Sequence, residues 1–467
     1  MAKSWMQSKG QIAAKSRWLT LVCALALTCT GALQANTLPP TTPNDSEPAQ
    51  VEIFAVPEAS QRTTPPTPTE PAPATAPAVI DVRAVPTEKV TAKRVALLLP
   101  LRSENLGQVA EVIKSGFLAA WESEQDDITV NVLESGESGA DILDSYQLAL
   151  AQHDVLVGPL PRAGVSSLID SGAISKPTIA LNSPEPRSPN DPPPSKLPNH
   201  LLIMGLSVED EARQLANLAF ANSGSGKKAL VLSSNIAWQR RAAKAFALQW
   251  QKLCGEVMQQ EINSSSGFLS AAGLATLKNL LQLNKIEKND NADKTDKAAD
   301  KPADKANDKA AEKMPNLAFI ALDSEQTRQL RHAIGYDLPL YGTSQLNRNI
   351  LTDGQEPDPI GYLDGVRLLE IPWQLQRDHP AVMIYPRLIQ EGEQKRSADL
   401  ERLYALGIDA YRVARALALK PGKGFELDGV TGKLQINIKK DVYSFERISP
   451  SAIYRQGRIQ LLNPNPQ

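Results

Sequence analysis

The stretch "RVALLLPLRSENLGQVAEVIKSGFLAAW", residues 94–121, limits the fold more than any other part of the chain. An unbroken apolar run from Val95 to Leu99 stops at Pro100. A run of that length without polar alternation reads as a strand buried on both faces, which belongs inside a parallel sheet covered by helices. Behind it Val109, Val112, Ile113, Gly116, Phe117 and Ala120 recur at helical spacing, so the strand is followed by a helix with one apolar face.

The unit then repeats. "ITVNVLE" precedes the helical "ADILDSYQLALAQ", "VLVGPL" precedes "AGVSSLIDSG", and "PTIALNS" runs into the Pro-rich loop "PEPRSPNDPPPSKLPN". A second series opens with the helix "SVEDEARQLANLAFANSG", whose acidic first turn suits the positive end of the helix dipole. It continues through "KALVLSS", "AWQRRAAKAFALQWQKLCG", "NLAFIAL", "SEQTRQLRHAIG" and "LPLYGTS". Two such series imply two similar α/β lobes. A further helix, "SADLERLYALGIDAYRVARALAL", places Leu400, Leu403, Tyr404, Gly407, Ala410, Tyr411, Ala414 and Leu417 on one face.

Other segments lack the means to fold. Residues 36–93 are rich in Pro, Thr, Ala and Glu and read as an extended disordered spacer, of about 3.1 Å per residue where it adopts polyproline II. Residues 285–313 alternate Asp and Lys with scarcely a large apolar side chain, which reads as a disordered surface insertion in the second lobe.

At the N-terminus Lys3, Lys9, Lys15 and Arg17 precede the apolar "WLTLVCALALTCTGAL", a secretory signal rather than a membrane span. Cleavage after Ala35 gives a periplasmic protein; cleavage before Cys29 gives one lipidated at that residue and anchored to the outer membrane. Either cut leaves Cys254 alone in the folded part, so no internal disulfide is expected. In "WQKLCGEV" it reads as a small buried apolar residue.

Lys plus Arg number 50 and Asp plus Glu 52, a balance that creates no field for nucleic acid. "NSGSGKKALVL" is no phosphate loop, because Lys228 stands where Ser or Thr is needed and the strand comes after it. His153, His200, His332 and His379 are scattered, and no metal-binding spacing or nucleophile elbow is present. No cofactor, metal site or catalytic group is therefore expected. In open parallel sheets ligands meet the carboxyl ends of the strands. The residues placed there are Pro100, Arg102, Ser103, Gly158, Pro159, Asn182, Ser183, Tyr341, Ser344 and Gln345, either as lining of a cleft or as ordinary strand-to-helix turns.

The ordered motifs "VALLLPL" with "SGFLAAW", "VLVGPL", "PTIALN", "LSVEDEARQLANLAF", "LPLYGTSQ", "GVRLLEIPW", and "RLYALGIDAYRVA" with "LDGVTGKLQI" resemble the LppC or LpoA type activators of class A penicillin-binding proteins. The resemblance covers residues 94–460. It implies a two-lobed type I periplasmic-binding-protein-like fold, each lobe a mainly parallel sheet flanked by helices. Lobe one is then expected over 94–204 and 375–432, and lobe two over 205–374 and 433–467. It also implies a non-enzymatic regulator on the inner leaflet of the outer membrane that stimulates a bifunctional peptidoglycan synthase. Longer members carry an N-terminal helical-repeat domain where this chain has the spacer. The alternative function on the same scaffold is a periplasmic solute-binding protein for an amino acid or similar small molecule.

Overall fold

A computed structural model describes residues 92–186, 196–224, 227–281, 314–347, 349–350, 361–389 and 396–462. The signal segment with Cys29, the spacer through residue 91 and the charged tract 285–313 lie outside the described residues. The chain divides after Ala74, and everything described belongs to the second unit, Thr75–Gln467.

β1 (Lys93–Leu99) pairs in parallel with β2 (Ile128–Glu134) on one side and β3 (Val155–Val157) on the other. β4 (Thr178–Ala180) and β5 (Leu201–Ile203) complete a sheet of order β2-β1-β3-β4-β5. Side chains of a strand alternate between faces, and β1 shows why its run is unbroken. Val95, Leu97 and Leu99 enter a core with Ile113 and Phe117 of α1 (Gly107–Glu124). Ala96 and Leu98 enter another, with Ile142 and Tyr146 of α2 (Gly139–Gln152) and Leu168 of α3 (Arg162–Ser171).

The second sheet repeats the arrangement. α4 (Val208–Asn222) precedes β6 (Lys228–Ser233), α5 (Ala237–Lys252), β7 (Glu256–Glu261) and α6 (Ala271–Leu280). Then come β8 (Leu317–Ala321), α7 (Ser324–Ile334), β9 (Leu340–Gly342) and β10 (Arg367–Leu369), with β7-β6-β8-β9-β10 parallel. Ala229, Val231 and Phe319 face α4 and α5, while Leu230, Leu232 and Ile320 face α6 and α7.

α8 (Ala398–Leu419) returns to the first sheet, followed by the antiparallel trio β11 (Phe425–Asp428), β12 (Lys433–Lys439) and β13 (Val442–Ile448). β14 (Ser451–Arg455) pairs antiparallel to β10, and β15 (Arg458–Leu461) pairs antiparallel to β14 at the edge of the second sheet. The chain thus crosses between lobes near residues 204–207, 370–372 and 449–450.

Two of these crossings differ from those expected of the sequence. Ile371 and Trp373 already belong to the first core, and Leu434, Ile436 and Tyr443 still do, so the lobe expected to end at 432 runs on to Ile448. The reason is strand pairing: Asp428 faces Lys433 across the β11–β12 ladder, and a boundary there would cut it. Cys254 also departs from expectation. It is exposed, in the left-handed conformation at φ 67° just past α5, a chain-reversal position and not a packing one.

α8 is buried on far more than the single face expected, because Ala405, Leu406, Ile408 and Val413 find partners as well. It crosses α1 at the closest approach two backbones allow. A Cβ on Gly407 would stand 2.1 Å from the carbonyl oxygen of Ile113, and one on Gly116 2.0 Å from that of Tyr404. Asp409, fully buried, receives the N–H groups of Val430 (3.0 Å) and Thr431 (2.8 Å) and the Thr431 hydroxyl (2.7 Å). One carboxylate therefore ties "GIDAYRVA" to "DGVTG", and its burial is offset by these three donors and by the Arg412 guanidinium at 3.3 Å.

Candidate functional site at the junction of the lobes

Pro100 is buried at the end of β1, where its carbonyl accepts the Ser103 N–H at 3.1 Å and turns the chain toward α1. Arg102 forms an ion pair with Asp141 at 2.9 Å, and the backbone N–H of Gly136 with this guanidinium holds the Asp141 carboxyl below its usual range. Ser103 contacts Glu137 and accepts the Leu106 N–H at 2.7 Å. Gly158 and Pro159 are buried, and at φ 115° a Cβ on Gly158 would meet the Leu98 carbonyl oxygen at 2.1 Å. Asn182 Oδ1 accepts the Ser183 N–H at 2.9 Å. Each of these residues lies at the carboxyl edge of the first sheet, engaged within its own lobe.

Tyr341 is 2 % exposed, packed with Phe319 and Ala321, and its hydroxyl accepts from Arg367 at 2.7 Å; it forms no open aromatic wall. Ser344 and Gln345 are placed differently. They line a cavity of about 450 Å³ together with residues of α4, α8, β13 and the chain crossings. None of the first-lobe candidates lines it.

This cavity has a charged wall. Arg402, at the start of α8, donates from Nε to Glu370 Oε1 at 3.0 Å and from Nη1 to Asp399 at 2.7 Å. Its Nη2 reaches the carbonyl oxygens of Ser344 (2.9 Å) and Asn347 (2.9 Å), so a first-lobe helix grips a second-lobe loop. Burial works against the Arg402 charge, but the adjacent Glu370 outweighs it and holds the guanidinium above its usual pKa. Glu211, in the first turn of α4, accepts both the N–H and the hydroxyl of Ser344. Burial pushes its carboxyl up to about 8, the Ser344 bonds pull against that, and Glu370 adds to it.

Arg447 on β13 donates to Thr431 Oγ1 (3.0 Å) and to the carbonyls of Gly205 (2.9 Å) and Met204 (2.9 Å). These acceptors are neutral, and burial brings its pKa down to about 10. Outside the cavity lining, Arg241 of α5 donates to Glu209 at 2.7 Å. Arg162 of α3 donates to the Pro184 carbonyl at 3.0 Å, and burial, then the nearby Arg241 charge, lower its pKa. Charged side chains of both lobes thus face one another here.

Sequence reasoning reaches Ser344 and Gln345 but not Glu211, Glu370, Arg402 or Arg447. The usable signal is the charged pair Glu401–Arg402 at the start of a helix with a long apolar face. Among the described residues no cluster of metal-ligating side chains occurs, and no helix is long and apolar enough to cross a membrane.

Comparison with known proteins adds a family. The family described as "LppC putative lipoprotein" matches residues 53–447. Penicillin-binding protein activator LpoA of Histophilus somni is 25% identical over 395 residues, covering 80% of this chain and 55% of its own. The chain thus spans about half the length of that relative. Among solved structures, the LpoA C-domain of Haemophilus influenzae, a regulator of PBP1A, has TM-score 0.55 at 21% identity, covering 79% of this chain and all (100%) of that one. A "putative branched-chain amino acid ABC transporter" of Chromobacterium violaceum has TM-score 0.56 at 32% identity, over 78% of this chain and 100% of its own. The two-lobed periplasmic-binding-protein-like fold is common to both.

Proposed function

Since the chain belongs to the LppC family, we propose that its folded part, residues 94–467, is a non-enzymatic envelope regulator that binds a class A penicillin-binding protein and stimulates peptidoglycan synthesis. The observation that carries this reading is the family match itself, which runs through both lobes and through the two motifs that Asp409 ties together. The secretion signal over 1–35 and the spacer over 36–93 complete the layout. They deliver the folded part to the periplasm and, where Cys29 carries lipid, let it reach away from the outer membrane.

A protein that only binds can accelerate a synthase only by preferring its active conformation. A tenfold shift takes about 1.4 kcal/mol of differential affinity. The carboxyl-edge loops around Arg102, Ser103, Asn182 and Ser183 are the proposed contact rim. The test is binding of the full chain to immobilised class A synthase from the same organism. Saturable binding is expected, and its absence contradicts the reading.

The 32% identical transporter structure favours a second reading, a solute-binding protein. Against it stand Arg162 of the first lobe with Glu209 and Arg241 of the second, charges brought near one another and ill matched to an apolar side chain. Calorimetry with leucine, isoleucine and valine separates the two. A micromolar response, about −8.2 kcal/mol, supports the solute binder, and a flat trace supports the regulator.

A further inference from the structure

Glu211, Ser344, Glu370 and Arg402 meet where the lobes join, and the guanidinium is unevenly shared among the acids. Glu370 and Asp399 bond it directly. Glu211 has no such bond: its oxygens take the N–H and hydroxyl of Ser344, both neutral. The other charged groups around the cavity are committed elsewhere or distant in bonding. Asp210 and Arg213, on the same helix, pair with each other, and the bonds of Arg447 go to Thr431, Gly205 and Met204. Glu446, on the same wall, adds a further negative charge. Glu211 is therefore a half-buried acid on the cavity wall beside a second acid, and the cation near it is already engaged.

We propose that this junction is a proton-linked hinge: protonated Glu211 keeps the lobes in the arrangement of this structure, and its ionisation favours a more open one in which more water reaches the carboxylate. The Ser344 hydroxyl suits both states, donating to the carboxylate or accepting from the carboxylic acid. The linkage follows from Arg402, which spans from α8 to the carbonyls of Ser344 and Asn347. Any opening that hydrates Glu211 stretches those same bonds. Because burial holds the Glu211 carboxyl at about 8 against an ordinary 4.5, the open-to-closed ratio rises with pH up to about 8 and levels off above it. The rise is up to tenfold per pH unit, one proton being released on opening.

The test uses the full chain with its native cysteines changed to serine and dyes on Leu148→Cys and Leu248→Cys, exposed positions of the first and second lobes (74% and 58%). Single-molecule energy transfer is read from pH 5.5 to 9.5. The expected result is a lower-transfer population that grows with pH, vanishes in Glu211→Gln, and appears at lower pH in Ser344→Ala, whose closed arrangement loses the hydroxyl bond to Glu211. An unchanged distance in the native background, or the same pH response in Glu211→Gln, overturns the proposal. Should Glu211→Gln fail to fold, Ser344→Ala decides alone, since an unshifted response there also overturns it. Carbon-13 titration of the glutamate carboxyls gives an independent reading: Glu211 titrating near 4.5 overturns it too.

Discussion

The middle of α8 and its first turns meet the rest of the molecule by opposite means. At Gly407 the helix touches α1 backbone to backbone, with no room for a methyl group. At Arg402 it meets the other lobe through a guanidinium shared among Glu370, Asp399 and the carbonyls of Ser344 and Asn347. Shape of the first kind admits one arrangement, because hard contacts cannot be traded. A set of acceptors around one cation admits exchange. The first lobe is therefore built as a rigid block, and freedom is concentrated where the lobes join.

The largest effect is expected of Gly407→Val, which drives carbon into the Ile113 carbonyl. A loss of more than about 4 kcal/mol, or no cooperative transition at all, is expected in urea unfolding. A small loss would mean that the crossing yields as readily as the hinge. Next in size is Arg402→Met, which leaves Glu370 buried without its cation and should cost about 3–5 kcal/mol. Adding Glu370→Gln should restore much of it, the non-additivity expected of direct partners. No such rescue exists for Gly407→Val.

A smaller effect depends on pH. The folded-state pKa of Glu211 is raised above its unfolded value, so folding takes up a proton between the two. The contribution of this group is most favourable below about 4.5 and is lost as pH rises to about 8, with a slope of at most about 1.4 kcal/mol per unit. Denaturant midpoints of Glu211→Gln should lack this slope, and an identical slope would show that another group causes it. The smallest effect is at Gln345, which lines the cavity without a hydrogen bond among the described residues. Gln345→Ala should change stability by less than about 0.5 kcal/mol.

The same contrast governs what could be read from the sequence. Gly116 and Gly407 stand at helical spacing within apolar faces, so their place in the core is visible one helix at a time. The strands β1, β2, β6 and β8 are legible because each is a local apolar run followed by a helix or strand signal of its own. The small antiparallel sheet went unrecognised, although Leu434, Ile436 and Ile438 alternate through "KLQINIK" as a half-buried strand should. Its pairing with β13 then carried the lobe boundary past residue 432. The charged hinge was not legible, because Glu211 and Ser344 are 133 positions apart and Glu370 and Arg402 are 32 apart. Nothing local distinguishes those acids from solvated ones. Cys254 misleads for a related reason: its apolar neighbours belong to α5, whereas it stands just beyond the helix end.

The regulator reading itself is tested most directly by polymerisation of lipid II by a class A synthase of the same organism, with and without saturating full-length chain. Faster glycan polymerisation or crosslinking is expected with the chain present, and no product from the chain alone. Unchanged rates together with no detectable binding would contradict that reading.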